Sequence, residues 1–429
     1  MSDLVTHLPT RLHPSAARKV IRPFTLEDPP GFVVPDHPRT QRIIARILSL
    51  DDAAAADQLS WALTAFKGRH RDLEGLLMAR YQQMADVSFD HSKVNHDRAL
   101  LIGAYFSEEF SFESAALFNP SVVRHPDQGG VAEGDTRFVL SLRGIGEGHI
   151  SSLTFRTGIW QANGQVVVED PGPFSVGPVV HRSEGDHGQL IVHLDYRAAE
   201  SVSESVIYPF MPIQGRGIED VRLTPFTEDD GTIDFRGTYT AFNGADVHQG
   251  MLRTADFKHF EMRGVQGPMY AGKGMALFPR RIGGRYFMLG RQDNENIWVL
   301  ASDDIYTWEG GEKTISPQSP WEFIQMGNCG SPIELDEGWL VLTHGVGSVR
   351  NYCIGACLLD KDDPTKILAR KPGPLLEPDE HNRDGYVPNV VYSCGAMLRG
   401  RTLLLPYGVA DTLTAFATVD VDGLIRAMT

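Results

Sequence analysis

The chain has 429 residues with 42% hydrophobic and 22% charged content, the proportions of a globular protein long enough to bury a large core. Its formal net charge of −15 comes without a basic run that could neutralise a phosphate backbone, which argues against nucleic-acid partners. Four cysteines, Cys329, Cys353, Cys357 and Cys394, are too few and too late in the chain for a disulfide framework, and no apolar run reaches the ~18 residues of a membrane-spanning helix.

In chain order, Met1-Ser2-Asp3-Leu4 lacks a basic segment followed by an apolar one, so a cytoplasmic protein with no membrane partner is expected. Residues 10–35 mix prolines with basic residues and predict an extended arm of the kind that reaches a neighbouring subunit. Apolar residues at three- and four-residue spacing, such as Ile43, Ile44, Ile47 and Leu48, then Leu73, Leu76, Leu77 and Tyr81, predict helices over 39–50, 52–68 and 71–85. Asp51 or Asp52 is the expected N-cap of the second, because a short side-chain oxygen accepts from a free backbone N–H there. Residues 1–95 are therefore expected to form an arm and helical segment that makes homo-oligomer contacts. On this reading, deleting them leaves residues 96–429 as a folded β domain.

Beyond residue 95 the helical period gives way to short alternating strands with Gly, Pro, Asn and Asp turns. Segments 137–143, 237–242, 285–291, 338–344 and 401–407 resemble one another, each apolar in its middle. After a wider first gap they recur at roughly 40 to 60 residues, the spacing of propeller blades. The expected fold is mainly β, a five-bladed β-propeller with an N-terminal helical extension; a β-sandwich is the alternative.

Two segments between these strands carry candidate chemistry. Gly144-Ile145-Gly146-Glu147-Gly148-His149-Ile150-Ser151 is glycine-rich but lacks the Gly-Lys-Ser/Thr ending of a nucleotide loop. It reads as a tight connection that brings Glu147 and His149 near a ligand, with Glu147 a candidate base and a structural role the alternative. In Gly217-Ile218-Glu219-Asp220-Val221-Arg222, strand alternation is expected to turn Glu219 and Asp220 to opposite faces. One acid would then face a cleft while the other anchors the loop; a surface turn with a salt bridge is the competing reading. Cys353 and Cys357 have no partner pair at zinc-ligand spacing, so they read as core and no metal or cofactor is expected.

The ordered set Phe118-Asn119-Pro120-Ser121, Arg143, Gly217 to Arg222, Lys273-Gly-Met-Ala-Leu-Phe-Pro279, Arg291, Gly330-Ser-Pro-Ile-Glu334 with Gly338-Trp339-Leu340, His344, and Ala410-Asp411-Thr412 resembles glycoside hydrolase family 130. The resemblance covers nearly everything after residue 95. It implies a five-bladed propeller acting on β-mannosides, many members being phosphorylases. It also implies that Asp220 is the general acid, acting through a sugar hydroxyl, that Asn119, Arg143 and Asp411 hold the mannose, and that Arg222 is a further substrate-binding residue. Lys273, Arg291 and His344 match positions around the incoming phosphate.

Glu334 stands where the resemblance leads one to expect a lysine. A carboxylate facing a phosphate dianion at about 4 Å costs a few kcal/mol at an effective dielectric of roughly 20, whereas it is suited to deprotonate water. An acid and a base on opposite sides of the sugar is the inverting hydrolase arrangement. The leading expectation is thus an inverting hydrolase releasing mannose from short β-mannosides, β-1,2-linked, with Glu334 as base. A phosphorylase making mannose 1-phosphate, with inorganic phosphate as co-substrate, is the alternative, and a non-catalytic glycan-binding propeller the second. Glu334 paired with Lys273 or Arg291 and inert is the competing reading of that residue.

Overall fold

The helical and the alternating parts of the sequence separate into two compact units in the computed structural model, which describes residues 4–24, 26, 28, 32, 38–185, 188–268, 272–380 and 382–429. The boundary differs from the one expected at residue 95. The first strand, β1 (Val5–Leu12), belongs to the β unit, and the helical unit runs over Arg18–Ser111 together with Pro173–Gly177.

In the helical unit, β2 (Val20–Pro23) precedes α1 (Arg39–Leu48), α2 (Asp52–Ala65), α3 (Leu73–Gln82) and α4 (His96–Tyr105), and pairs antiparallel with β3 (Ser107–Phe110). Asp51 caps α2 by accepting from the Ala54 N–H at 2.8 Å, the first of the two expected caps. α4 lies beyond residue 95, where the helical period is expected to end. Asn95 starts this helix by accepting from the Arg98 N–H at 2.9 Å, and its Leu100, Leu101 and Ile102 pack with Ile44, Ile47, Leu59 and Leu77. Burying each such side chain contributes about 1.5–3 kcal/mol, so Ile102→Ala would cost ~2–5 kcal/mol. Of the expected arm over 10–35, the described parts are β1 and β2, and most of 25–37 lies outside the described residues.

Among the described residues the strands of the β unit form four sheets, and the largest, eleven-stranded, holds two antiparallel runs joined by a single parallel pair, which gives five antiparallel groups. The first is β4 (Ala116–Arg124), β5 (Thr136–Ile145), β6 (Ser151–Trp160) and β7 (Val166–Val168); β8 (Val179–Glu184), β9 (Leu190–Asp195) and β10 (Val206–Ile207) follow. The second is β11 (Gly217–Thr227), β12 (Ile233–Phe242), β13 (Val247–Thr254) and β14 (His259–Gly264), extended by β9 and β8. β15 (Ala276–Leu277), β16 (Tyr286–Gly290), β17 (Ile297–Ser302) and β18 (Glu312–Ile315) make the third. In the fourth, β19 (Gln325–Asn328) and β20 (Ile333–Leu335) both pair with β21 (Gly338–Val346), which continues to β22 (Tyr352–Leu359) and β23 (Ile367–Arg370). In the fifth, β24 (Val391–Tyr392) and β25 (Met397–Arg399) pair with β26 (Thr402–Val409), then β27 (Leu413–Asp420), and β1 completes it from the other end of the chain before a last helix, α5 (Val421–Arg426). All five segments singled out by their alternation lie within or across strands, namely β5, β12, β16, β21 and β26.

Strand faces buried on both sides explain why these segments read as apolar runs, and the core lies between successive groups. Met288 and Leu300 pack with Phe226 and Met251, and Leu289 and Val299 with Trp339 and Val341. Leu340 and Leu342 pack with Leu403 and Leu405, and Leu404 and Phe416 with Leu140 and Phe138. The first and second groups meet through the parallel pair Gly217 with Ser151 and through the Leu223 N–H donating to Ser121 Oγ at 3.1 Å. Trp339 is fully buried, and truncating it to Ala would cost about 3–5 kcal/mol. All four cysteines are buried and unpaired.

Candidate active site

Two bulges shape the site. β4 slips register between Phe118 and Ser121 against β5, and β11 slips between Glu219 and Arg222 against β12. The extra residue in each bends the strand and puts one residue in the left-handed region: Asn119 at φ 48° and Asp220 at φ 55°. Asp411, in the turn between β26 and β27, has φ 50°. Asn and Asp tolerate this conformation better than other side chains, although it still costs about 1–2 kcal/mol.

The bulge overturns the expectation that Glu219 and Asp220 face opposite ways, since strict alternation holds only for a regular strand. Both carboxylates meet one guanidinium, Arg143 Nη2 donating to Glu219 Oε1 at 2.7 Å and Nη1 lying 3.6 Å from Asp220 Oδ1. Asn119 Nδ2 donates to the same Asp220 oxygen at 2.7 Å, while Asn119 Oδ1, buried, has no partner among the described residues. Lys273 Nζ donates to Glu219 Oε2 at 3.2 Å and is 45% exposed, so its charge is reachable from solvent.

Each of the five groups contributes from its first strand or the residues just before it: Asn119, Asp220 with Arg222, Lys273, Asn328 and Tyr392. Arg222 is buried and saturated, its Nη1 donating to the Asp220 carbonyl at 2.8 Å, Nε to Asn328 Oδ1 at 3.0 Å and Nη2 to the Tyr392 hydroxyl at 2.7 Å. The segment carrying Lys273 is held by its carbonyls. Gln249 Nε2 donates to Gly272 O at 2.6 Å, Asn328 Nδ2 to Gly274 O at 2.5 Å, and the Thr238 hydroxyl to Met275 O. Sequence reasoning missed Asn328, Tyr392, Gln249 and Thr238, which stand outside any motif and show themselves only through these contacts.

Electrostatics divide the carboxylates. Burial works to raise the Asp220 pKa, but the Arg143 and Arg222 charges and the Asn119 hydrogen bond outweigh it and hold Asp220 below the usual carboxylate value. Burial dominates at Asp411, with the Asp220 charge adding to it against Arg143 and Arg350, and pushes it up to about 6. His344 is pushed well below its ordinary value by burial, then by Arg291 and Arg222. A neutral ring also fits its contacts, with Nδ1 donating to Asn328 O at 3.2 Å and Nε2 accepting from Arg291 Nη1 at 3.3 Å. His344 therefore orients Arg291 and does not add a charge of its own, and Arg291 Nε is left without a partner among the described residues.

Glu334 is not part of this arrangement. It lies on β20 opposite Trp339, whereas His344 lies further along β21 opposite Gly327, about 17 Å away at ~3.4 Å per residue. Its partner is Arg280, which donates to both carboxylate oxygens at 2.8 and 2.7 Å and lowers its pKa, with Lys361 Nζ at 3.4 Å. Neither Lys273 nor Arg291 pairs with it. Glu147 lies in an exposed 3₁₀ turn (Glu147–His149) and makes no ion pair with the residues around Asp220.

Paired carboxylates, guanidiniums, an amide and a lysine gathered at strand ends of a mainly β scaffold are the equipment of a carbohydrate-handling protein. The family model described as beta-1,4-mannooligosaccharide phosphorylase matches residues 193–429, and the chain belongs to that family, glycoside hydrolase family 130. A beta-1,2-mannobiose phosphorylase from Listeria innocua is 33% identical over 232 residues, which are 52% of this chain and 63% of that protein. A 1,2-beta-oligomannan phosphorylase from Thermoanaerobacter is 35% identical over 213 residues, 48% of this chain and 69% of that one. Among solved structures, the Listeria innocua beta-1,2-mannobiose phosphorylase in complex with beta-1,2-mannobiose aligns with a TM-score of 0.51 at 24% identity, covering 74% of this chain and 92% of that one, a likeness of fold. The hydrolase expectation is corrected by these findings. The two curated relatives bear phosphorylase names, and the carboxylate on which hydrolysis rested is tied up elsewhere.

Proposed function

We propose that this protein is an inverting phosphorylase of short β-mannosides, with β-1,2-linked mannobiose or oligomannan the first substrates to test because two similar proteins bear those names. The reading is carried by the cations on either side of Asn328, which donates to the carbonyl of Gly274, next to Lys273, and accepts from His344, the neutral partner of Arg291. Lys273 is exposed and Arg291 is unsaturated, and Glu334, bound to Arg280, is not there to repel a dianion. The five antiparallel groups are inferred to be the blades of a five-bladed propeller. The reading rests on the cores shared between successive groups and on β1 completing the last of them.

In this reading Asn119, Arg143 and Asp411 bind the mannose hydroxyls, and a phosphate oxygen held by Arg291 and Lys273 attacks C1. The C1–O bond to the next sugar breaks as the C1–O–P bond forms, giving α-mannose 1-phosphate. The proton reaches the leaving oxygen from Asp220 by way of a sugar hydroxyl, and the proton lost by the phosphate balances it. Lys273 is one of the cations that hold Asp220 ionised, after Arg143 and Arg222, and a phosphate bound to it neutralises its charge and raises the proton affinity of Asp220 at the step that needs it. The test is ³¹P and ¹H NMR of β-1,2-mannobiose with the enzyme, with and without phosphate. Mannose 1-phosphate in the first sample and no turnover in the second is the expected pair; free mannose released equally in both would refute it.

A further inference from the structure

The site's outer wall, next to Asp411, is made of two loops that the reaction as described leaves unused. One is the segment through Tyr386, fastened to the Asp411 turn by the Tyr386 N–H donating to Thr412 Oγ1 at 2.9 Å and the Val387 N–H donating to Ala410 O at 2.9 Å. The other is the turn Ser348–Arg350, in which Val349 and Arg350 have φ of 54° and 57°, and Arg350 is close enough to Asp411 to oppose the rise of its pKa. The Tyr352 N–H donating to Asn389 O at 2.9 Å joins the two. Between them lies a cavity of about 540 Å³ whose lining includes Val349, Asn351, Glu377, Arg383 and Asn389. That volume lies within the range of small-ligand sites, and amide, carboxylate and guanidinium groups are hydrogen-bonding partners for sugar hydroxyls.

Tyr386 stands at the edge of this wall. It is 63% exposed, and it is stacked on His149 at 6.0 Å between centroids and 26° between planes. His149 is itself held at φ 57° at the end of the glycine-rich turn, and the two side chains touch through Tyr386 OH and His149 Nδ1 at 3.4 Å. A strained residue and an exposed ring oriented together beside the carboxylate of a sugar site are features of a ligand platform.

We propose that Tyr386, oriented by His149, is the stacking platform for the pyranose that adjoins the bound mannose, and that the cavity between the Tyr386 and Val349 loops receives its hydroxyls. This rests on the β-mannoside reading above, and it assigns recognition of the second sugar to the loops and not to the Asp220 cluster. It also explains why the glycine-rich turn is built as it is. Gly148, at φ 68°, lets the chain reverse so that His149 reaches the ring.

The test is calorimetric titration of the full-length protein with mannose and with β-1,2-mannobiose, without phosphate so that no turnover intervenes. The wild type is expected to bind the disaccharide more tightly, and Tyr386→Ala to reduce the ratio of the two affinities by about tenfold, while Tyr386→Phe, which keeps the ring, holds it within about twofold. A ratio unchanged in Tyr386→Ala, or a wild type that prefers mannose, would overturn the platform and leave the mannoside reading standing. A wild type that binds neither sugar would overturn both.

Discussion

Asp411→Asn is expected to stabilise the protein above pH 6 while weakening its hold on sugar. The Asp411 carboxyl is raised from 3.8 to about 6, chiefly by burial, so ionising it in the folded state costs about 3 kcal/mol at 1.36 kcal/mol per pKa unit. A raised acid pKa means that the folded state holds its proton more tightly than the unfolded chain. Stability from this group is therefore full below about 3.8, falls as pH rises, and is lost above about 6. Asparagine carries no such cost and accepts the left-handed backbone at φ 50°. The variant should gain about 3 kcal/mol at pH 8, roughly half of that at pH 5, and nothing near pH 3. Urea unfolding of both proteins at pH 8 and pH 5 checks this by the difference between the two shifts. A gain of equal size at both pH values, or none at either, would show that the carboxylate is not held against its own burial and that the electrostatic account of the site is wrong.

Asp220→Asn keeps the Asn119 and Arg143 neighbours but cannot deliver a proton, so kcat for phosphorolysis should fall by about 10² to 10⁴ with substrate affinity largely kept; turnover near wild type would remove Asp220 from its role. Glu334→Gln should leave mannose 1-phosphate production unchanged and cost under ~1 kcal/mol of stability, because the pair with Arg280 is a third exposed on either side; a large loss of activity would return this residue to the site.

How much was legible in the sequence depended on whether a residue obeyed the period of its element. The five alternating segments showed themselves because buried strands keep apolar centres, and the first helix because Ile44 and Ile47 recur on one face; the second and third bury Leu59 and Leu77. α4 was overlooked although Asn95 ahead of an apolar run is a start signal of the same kind as Asp51. Bulges break the period, so the joint approach of Glu219 and Asp220 to Arg143 could not be read from alternation. The identity of the left-handed residues did hint at it, since Asn119, Asp220 and Asp411 are the types that take that conformation. Glu334 was misplaced by position within a motif, yet the short turn Asp336-Glu337 between Leu335 and Gly338 sets the hairpin register that puts it opposite Trp339. Gln249 and Thr238 act through carbonyls of another segment, and such contacts leave no trace in sequence.

The pairing of β1 with β27 changes how this molecule could be taken apart. In sequence, Arg18–Ser111 of the helical unit is inserted between β1 and β4, and the β-unit residues flanking the insertion meet, the Ser15 N–H donating to Glu113 O at 3.0 Å. Trimming the chain from its start, as a helical extension would invite, removes β1 and leaves the N–H and C=O groups of β27 as an open edge, a template for aggregation. Splicing Ala17 directly toward Phe112 instead preserves that edge. The helices are thus exchangeable as an internal module, and any swap must respect Pro173–Gly177, the one further stretch of chain that packs with them.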